Sequence, residues 1–292
     1  MKIVAIVVTY NRIELLKNCL SLLSELNQDI DIMVIDNCSD DGTKEYCNLK
    51  DDINYFRMDS NIGGAGGFNF GLKEAYKRGY DYYWLMDDDT FVNKDTLKHL
   101  LKAAEKLDNK FGFLSSVALW KDGSNCIMNY HQINKKWQTD KGLVAEGLLK
   151  IQAATFVSFF IRHEVIKEVG LPIKDYFIWG DDTEYSNRIS LKYPSYMVAK
   201  SQVVHAMGKN EGSDLIDMND KKRIDRMYYS IRNDICTYRR IGVRESVRYY
   251  LWIINQIIKI IFSKSSFKLY KIKTILKGLV RGLFFFPKIE SV

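Results

Sequence analysis

Two hydrophobic patterns alternate along the first ninety or so residues. Ile3–Thr9 is a continuous, β-branched apolar run, as expected for a strand buried on both faces. Residues 15–26 instead place Leu15, Leu16, Cys19, Leu22, Leu23 and Leu26 at helical spacing. The alternation then repeats. Asp31–Asp36 predicts a second buried strand, a helix starts near Thr43, and residues 53–58 predict a third strand. Residues 71–77 follow as a helix and 81–86 as a fourth strand. Strands alternating with helices predict an α/β fold with a mostly parallel sheet and right-handed crossovers. Further on, residues 113–120, 150–161 and 197–205 read as strands, and 162–169 as a helix closed by Gly170-Leu171-Pro172. From about Asp217 the pattern is helical.

Ligands of such sheets bind beyond the carboxyl ends of the strands. All four early strands turn polar there: Thr9-Tyr10-Asn11-Arg12, Asp36-Asn37, Asn61-Ile62-Gly63-Gly64 and Asp87-Asp88-Asp89. The last is the most abrupt, because Tyr82-Tyr83-Trp84-Leu85-Met86 stops at three carboxylates. Side chains alternate in extended chain, so Asp87 and Asp89 face one way and Asp88 the other. Two crowded carboxylates suit a hard divalent cation, Mn²⁺ or Mg²⁺. The plainer alternative is that Asp89-Thr90 caps a helix starting near Asn93.

Residues 61–71 hold five of the chain's 18 glycines. Amides at the start of the following helix can face a diphosphate, unless the glycines serve only a tight turn and close helix packing. The stretch lacks Gly-Lys-Ser/Thr and follows the third strand, so it is neither a Walker A loop nor the dinucleotide fingerprint. A second acidic cluster, Phe177-Ile178-Trp179-Gly180-Asp181-Asp182-Thr183-Glu184-Tyr185, leads an apolar run into paired carboxylates. Such a pair beside an aromatic wall can supply a general base, or simply cap a surface helix. His205, at the end of the 197–205 strand, is one of only four histidines.

Composition narrows the class. A 292-residue chain with 47% hydrophobic residues and three prolines is a compact globular protein, one large domain or a domain with an appendage. The composition shift near residues 210–220 divides it into 1–215 and 216–292. Five scattered cysteines without a CxxC pair predict reduced thiols in a cytoplasmic protein. The N-terminal apolar run is too short for a signal sequence, and no stretch approaches the roughly twenty apolar residues of a membrane-spanning helix. From Arg239 onward, 12 Lys and Arg face two Glu. That local +10 leaves −3 for the rest of a chain whose net charge is +7. The basic character belongs to the tail, and no nucleic-acid partner is expected.

Val7-Val8-Thr9-Tyr10-Asn11-Arg12, Asp36-Asn37, the Asn61–Phe68 glycine stretch, Asp87-Asp88-Asp89, Asp181-Asp182-x-Glu184-Tyr185 and Tyr228-Tyr229-x-x-Arg232-Asn233 occur in order. Together they resemble family 2 inverting glycosyltransferases of the GT-A fold. The glycine stretch and triple Asp look most like the galactofuranosyltransferase branch, with rhamnosyltransferases close by. The resemblance covers roughly residues 3–235. It implies that Thr9, Tyr10, Arg12, Asp36 and Asn61 hold a uridine diphosphate, with Gly63, Gly64, Asp88, Trp179 and Asp181 also at the substrate. Asp87 and Asp89 match the metal-binding DxD, with His205 as third ligand and Mn²⁺ or Mg²⁺ as cofactor. Asp182 matches the catalytic base. The implied donor is UDP-galactofuranose, with dTDP-rhamnose as the alternative, and the implied acceptor a hydroxyl of a lipid-linked cell-surface glycan. Trp179, Tyr176 and Trp120 are the candidate platforms for an acceptor sugar. A sugar nucleotidyltransferase, which also uses carboxylate-bound Mg²⁺, is the alternative of another class, but no basic glycine-rich signature follows the first strand.

The tail suggests a location. Lys273, Lys277 and Arg281 share one helical face, with Ile272, Ile275, Leu276, Leu279 and Leu283 on the other and Phe284-Phe285-Phe286 at the end. Residues 249–262 are more apolar, with Arg248, Asn255 and Lys259 as their polar face. Basic amphipathic helices of this kind lie on anionic membrane surfaces, placing the protein peripherally on the inner face of the cell membrane. The alternative is a helical subdomain that packs on the sheet.

Overall fold

In the computed structural model, which describes residues 1–212 and 214–292, the alternating half of the chain folds as its apolar runs dictate. Strands β1 (Ile3–Thr9), β2 (Asp31–Asp36), β3 (Ile53–Arg57) and β4 (Tyr82–Asp87) are linked by helices α1 (Ile13–Ser24), α2 (Thr43–Asn48) and α3 (Gly63–Lys77). The strands lie in the order β3-β2-β1-β4, every neighbouring pair parallel. Side chains of β1 alternate between two cores. Ile3, Ala5 and Val7 join Leu16, Cys19 and Leu23 of α1 on one face, while Val4, Ile6 and Val8 join Phe68, Leu72 and Ala75 of α3 on the other.

The chain continues through β5 (Thr90–Val92), α4 (Thr96–Lys106), β6 (Phe113–Leu119), β7 (Gln132–Ile133) and α5 (Lys141–Ala145). Next come β8 (Leu148–Ala153), β9 (Phe159–Arg162), α6 (His163–Val169), α7 (Asp181–Ser190) and β10 (Ser195–His205). The full ten-stranded sheet runs β3-β2-β1-β4-β9-β6-β10-β8-β7, with β5 paired to β10. Beyond β4 the sheet is mixed. β9 is antiparallel to both β4 and β6, and β8 is antiparallel to β10.

Three expectations change. The single strand over 150–161 is two strands, because the chain breaks before Phe159, with Ser158 at a φ of 59°. The helix expected from Gly71 starts at Gly63, so the glycine stretch is helix rather than loop. That helix lies hard against β1: a Cβ on Gly67 would meet Val8 at 2.7 Å and one on Gly71 would meet Ile6 at 2.6 Å. Finally, Asp89-Thr90 caps no helix. Thr90 opens β5, whose antiparallel register sets it opposite His205.

Helices α8 (Lys221–Ile241), α9 (Val243–Phe262) and α10 (Lys268–Leu283) build a separate core from Ile224, Ile231, Ile253, Ile260 and Ile275, joined by Leu215 and Met218. α10 approaches α8 through small residues, since a Cβ on Gly282 would lie 2.7 Å from Ile235. The expected division of α10 into one basic and one apolar face is only partly right. Ile275 is buried and Ile272 and Leu279 pack on the helical core, but Leu276 and Leu283 are exposed beside the basic residues. The segment after α10 returns to the sheet domain. The Leu171 amide donates to the Glu290 carbonyl at 2.8 Å, and the Glu290 carboxylate pairs with Lys73 and Lys174.

Candidate active site

Parallel pairing brings the carboxyl ends of β1, β2 and β4 to one edge, with Val8 opposite Asp87 and Thr9 opposite Asp36. Asp88, 2% exposed, bonds back to the β1 end: its Oδ2 accepts from Thr9 Oγ1 at 2.7 Å and its Oδ1 from Arg12 at 3.1 Å. The same Arg12 nitrogen reaches Asp89 Oδ2 at 2.7 Å. Asp87, Asp89 and His205 form a different group, each offering one potential ligand atom with all three within 4.8 Å of one another. β5 makes this meeting possible, because its pairing with β10 puts His205 beside the residue that follows Asp89. The Ala206 amide also donates to the Asp89 carbonyl at 2.8 Å.

The donor set fits a hard divalent cation. Asp89 Oδ1 is buried without a hydrogen bond among the described residues, although His205 Nε2 lies 3.1 Å away. His205 Nδ1 donates to Asn129 Oδ1 at 2.7 Å, which turns Nε2 toward the carboxylates. Two carboxylates and an oriented imidazole are ligands that Mn²⁺ accepts readily and Mg²⁺ accepts with water. The carboxylate charges are also crowded and buried. Burial, then the Asp89 charge, pushes Asp87 up to about 6. Burial likewise pushes Asp88 up to about 7 against the pull of Arg12. Burial opposes the Asp89 charge too, but His205 and Arg12 outweigh it and hold Asp89 below its ordinary value. In His205, burial is outweighed by the adjoining Asp89 and Asp87 carboxylates, and the imidazole rises to about 10.

The neighbouring strand ends are held mainly by one another. Asp36 is fully buried: its Oδ2 accepts from Tyr55 at 2.6 Å and Arg57 at 2.9 Å, and its Oδ1 from the Ser39 amide at 2.8 Å. Its carboxylate therefore fixes Arg57 and the loop after β2, instead of opening to the edge. The Asn11 amide donates to Ser39 Oγ, and the Asp40 amide to Asn11 Oδ1, stitching the loops after β1 and β2 together. Tyr10 is exposed at this rim. Asn61 Oδ1 accepts from the Gly63 amide at 2.8 Å, and the Phe177 carbonyl takes the Ala65 amide. Gly64 has open space where a Cβ would sit, whereas a Cβ on Gly63, at a φ of 75°, would fall 2.0 Å from the Phe177 carbonyl oxygen. Gly63 thus serves close packing against the second acidic segment.

That segment is contorted. Phe177, Trp179 and Gly180 have φ values of 65°, 67° and 83°, a conformation that costs energy at the two aromatic residues. The Tyr228-Tyr229-x-x-Arg232-Asn233 motif holds it. Asn233 donates to the carbonyls of Tyr176, Ile178 and Trp179, and Arg232 donates to those of Asp175 and Tyr176. Gly180 then starts α7, which carries Asp181 and Asp182 in its first turn. Burial, reinforced by Asp182, raises Asp181 well above the carboxylate range, and burial raises Asp182 as well. Among the described residues, the hydrogen bonds that the Asp182 carboxylate accepts all fall on Oδ1, from the amide and hydroxyl of Thr183. The Asp182 charge also contributes, after burial and Asp89, to raising Asp87, so the second acidic segment lies within electrostatic reach of the first.

The aromatic platforms fare differently. Tyr176 is fully buried, its hydroxyl 2.9 Å from Thr237 Oγ1, so it is core and not a surface for a sugar. Trp120 is half-buried and donates to the Met207 carbonyl, while Trp179 packs on the helical core. Sequence patterning passes over Arg57, although it ends a strand on the same edge as Asp36. It passes over Asn129 as well, which carries no local signal because its partner lies 76 residues away.

Comparison with known proteins agrees with this architecture. The model of glycosyl transferase family 2 matches residues 4–170. Galactofuranosyltransferase GlfT1 of Mycolicibacterium smegmatis is 26% identical over 193 residues, which are 63% of this chain and 64% of that protein. The match thus spans less than two thirds of the relative's length. Among solved structures, GalNAc-T7 with UDP, GalNAc and Mn²⁺ superposes with a TM-score of 0.66 at 14% identity, covering 97% of this chain and 56% of that one. Mannosyltransferase PcManGT of Pyrobaculum calidifontis, in complex with GDP-Man and Mn²⁺, gives 0.56 at 15% identity over 97% and 86%. Those distant likenesses speak for the fold alone, which is GT-A. The family model, by contrast, runs from β1 through the triple Asp to the end of α6, and on that extent the chain belongs to glycosyl transferase family 2.

Proposed function

We propose that this protein is a metal-dependent inverting glycosyltransferase that moves galactofuranose from UDP-galactofuranose to a hydroxyl of a lipid-linked cell-surface glycan. The observation that carries the reading is the Asp87–Asp89–His205 group at the carboxyl edge of a sheet whose chain matches glycosyl transferase family 2. The donor follows the relative that is named a galactofuranosyltransferase.

Asp87, Asp89 and His205 would hold Mn²⁺ or Mg²⁺, which supplies positive charge where the departing diphosphate gathers negative charge. Asp182 takes the proton of the attacking hydroxyl, and its raised pKa brings it closer to the working pH of a general base. Burial and the neighbouring Asp182 charge also push Asp181 upward, so the pair resists carrying two buried charges. Tyr10 and Arg12 line the rim that the nucleotide would occupy, and buried Thr9 holds Asp88 behind them. Asp36 and Asn61 act behind it by fixing Ser39, Arg57 and Gly63. Direct attack in line with the leaving diphosphate inverts the anomeric carbon without a covalent enzyme intermediate.

The helical region supports a membrane-surface location. Val247, Leu251, Ile254 and Ile258 make an exposed apolar stripe on α9, bordered by Arg244, Arg248 and Lys259. Leu276 and Val280 on α10 lie beside Lys273, Lys277 and Arg281. An apolar stripe with a basic border suits an anionic leaflet, here the inner face of the cell membrane. Among the described residues, no helix is long and apolar enough to cross a membrane.

The test is a donor panel. Purified protein is incubated with UDP-galactofuranose or dTDP-rhamnose, with Mn²⁺, Mg²⁺ or EDTA, and nucleotide diphosphate release is measured. The expected result is metal-dependent release that is fastest from UDP-galactofuranose. Faster turnover of dTDP-rhamnose would reassign the donor. Pyrophosphate release from a nucleoside triphosphate and a sugar 1-phosphate would make the protein a nucleotidyltransferase instead.

A further inference from the structure

Helices α8, α9 and α10 enclose a cavity of about 380 Å³ that the transfer chemistry above does not use. Ile231, Ile253 and Ile275 give it apolar surface, and Trp252, 46% exposed, stands at its rim. Its polar lining includes Ser230, Asp234 and Gln256. Gln256 is 8% exposed, and its Oε1 has no hydrogen-bond partner among the described residues. Asp234 Oδ2 accepts from Tyr249 at 3.0 Å and from Ser230 at 3.5 Å. Asp234 Oδ1 lies only 3.5 Å from where a Cβ on Gly180 would sit, one residue before Asp181-Asp182. The cavity therefore adjoins the backbone that presents the proposed base.

The lining selects among occupants. An alkyl chain would strip water from Gln256 Oε1 and Asp234 and return no hydrogen bond. A phosphate would meet Asp214 and Asp234, both of which line the cavity, and no Lys or Arg is among the lining residues. A sugar ring satisfies both halves, laying its C–H face on the isoleucines and Trp252 and its hydroxyls on Gln256, Asp234 and Ser230. The volume falls within the usual range of small-molecule sites, about 300–1,000 Å³. Burial, which pushes Asp234 up to about 7, also lets that carboxyl donate as well as accept. We propose that this cavity is a subsite for one uncharged sugar ring of the acceptor, held by Gln256, Asp234 and Trp252 next to the Gly180–Asp182 turn. The assignment rests on the glycosyltransferase reading and adds where the acceptor lies.

The test is saturation-transfer NMR on the full chain, with octyl β-D-galactopyranoside and octyl α-L-rhamnopyranoside as probes and octanol as the alkyl control. UDP affinity is measured in parallel by calorimetry. Gln256→Leu removes the unpaired acceptor at nearly constant volume, and Ser230→Phe fills the cavity. The expected result is glycoside binding by the wild type that weakens at least tenfold in folded Gln256→Leu, with UDP affinity held within about twofold. Ser230→Phe should act likewise where its thermal melt shows it folded. Absence of glycoside binding by the wild type, unchanged affinity in Gln256→Leu, or equal binding of octanol would overturn the subsite. If the wild type binds UDP and consumes a UDP-sugar in those cases, the glycosyltransferase reading stands and only the subsite falls. If it does neither, both fall.

Discussion

The side-chain amide of Asn233 lies 2.7 Å from the carbonyl oxygen of Trp179 and donates to it. It also serves the carbonyls of Tyr176 and Ile178, so one buried side chain on α8 pins the left-handed turn that presents Asp181 and Asp182. Replacing Asn233 with Ala leaves the Ile178 and Trp179 carbonyls short of a donor, while Tyr176 keeps Arg232, at a cost of about 1–3 kcal/mol for each buried group left unsatisfied. Because the turn is already strained, that cost should appear as a displaced Asp182. Asn233→Ala is expected to lower turnover at least tenfold while UDP affinity, measured by calorimetry, changes less than about threefold. A matching collapse of UDP affinity would place Asn233 in the nucleotide site instead.

The three consecutive aspartates should separate by partner. Asp87 and Asp89 share a potential ligand sphere with His205, whereas Asp88 is bonded to Thr9 and Arg12. Asp87→Asn and Asp89→Asn are expected to weaken Mn²⁺ binding, followed by electron paramagnetic resonance, by at least tenfold. Asp88→Asn should hold Mn²⁺ nearly as well as the wild type and show its defect, if any, in thermal stability. Equal losses of Mn²⁺ affinity at all three positions would contradict this division.

Gly63 should tolerate no side chain. Its φ of 75° and the 2.0 Å approach to the Phe177 carbonyl combine backbone strain with a steric clash. Together these should destabilise Gly63→Ala by roughly 3 kcal/mol or more. In a chain of this size that corresponds to a melting temperature lower by about 6 °C or more. Gly64→Ala, which meets open space, should melt within about 2 °C of the wild type on the same scale. Similar melts for the two variants would remove the packing role given to Gly63.

Much of the site was legible in the sequence because the early strands are short apolar runs that end in polar residues. That pattern alone brings Thr9, Asp36 and Asp87–Asp89 to one edge. What stayed hidden depends on distant contacts. The glycine stretch reads as a loop because glycine disfavours helices, yet α3 starts at Gly63 since its backbone must lie against Val8 and Ile6. Residues 150–161 read as one strand because apolar periodicity does not record the break before Phe159. Tyr176 looks like an available aromatic, but Thr237, 61 residues later, buries its hydroxyl. Arg232 and Asn233 stand out as part of a motif, while their partners at 175–179 emerge only once α8 is docked.

The exposed stripe on α9 should govern attachment to a membrane. Truncating the helices is a poor test, because Arg232 and Asn233 hold the acidic turn and Glu290 is tied to Leu171. Leu251→Asp with Ile258→Asp, both at exposed positions, changes the surface alone. This pair is expected to reduce cosedimentation with vesicles of anionic phospholipid at least fivefold, and added salt should weaken wild-type binding. Unchanged cosedimentation would remove the membrane assignment without touching the transfer chemistry.

The Asp182 carboxyl is raised by burial above its reference value of 3.8. A general base works deprotonated, so the rate should fall as pH drops through the raised value, and the acid limb should lie above that reference value. The most direct measurement of the central claim is the pH profile of UDP release from UDP-galactofuranose with Mn²⁺, for the wild type and Asp182→Asn. The account predicts an acid limb in the wild type. In Asp182→Asn it predicts a rate at least a hundredfold lower without that limb, at unchanged UDP affinity. An Asp182→Asn rate within tenfold of the wild type, with the acid limb intact, would contradict it.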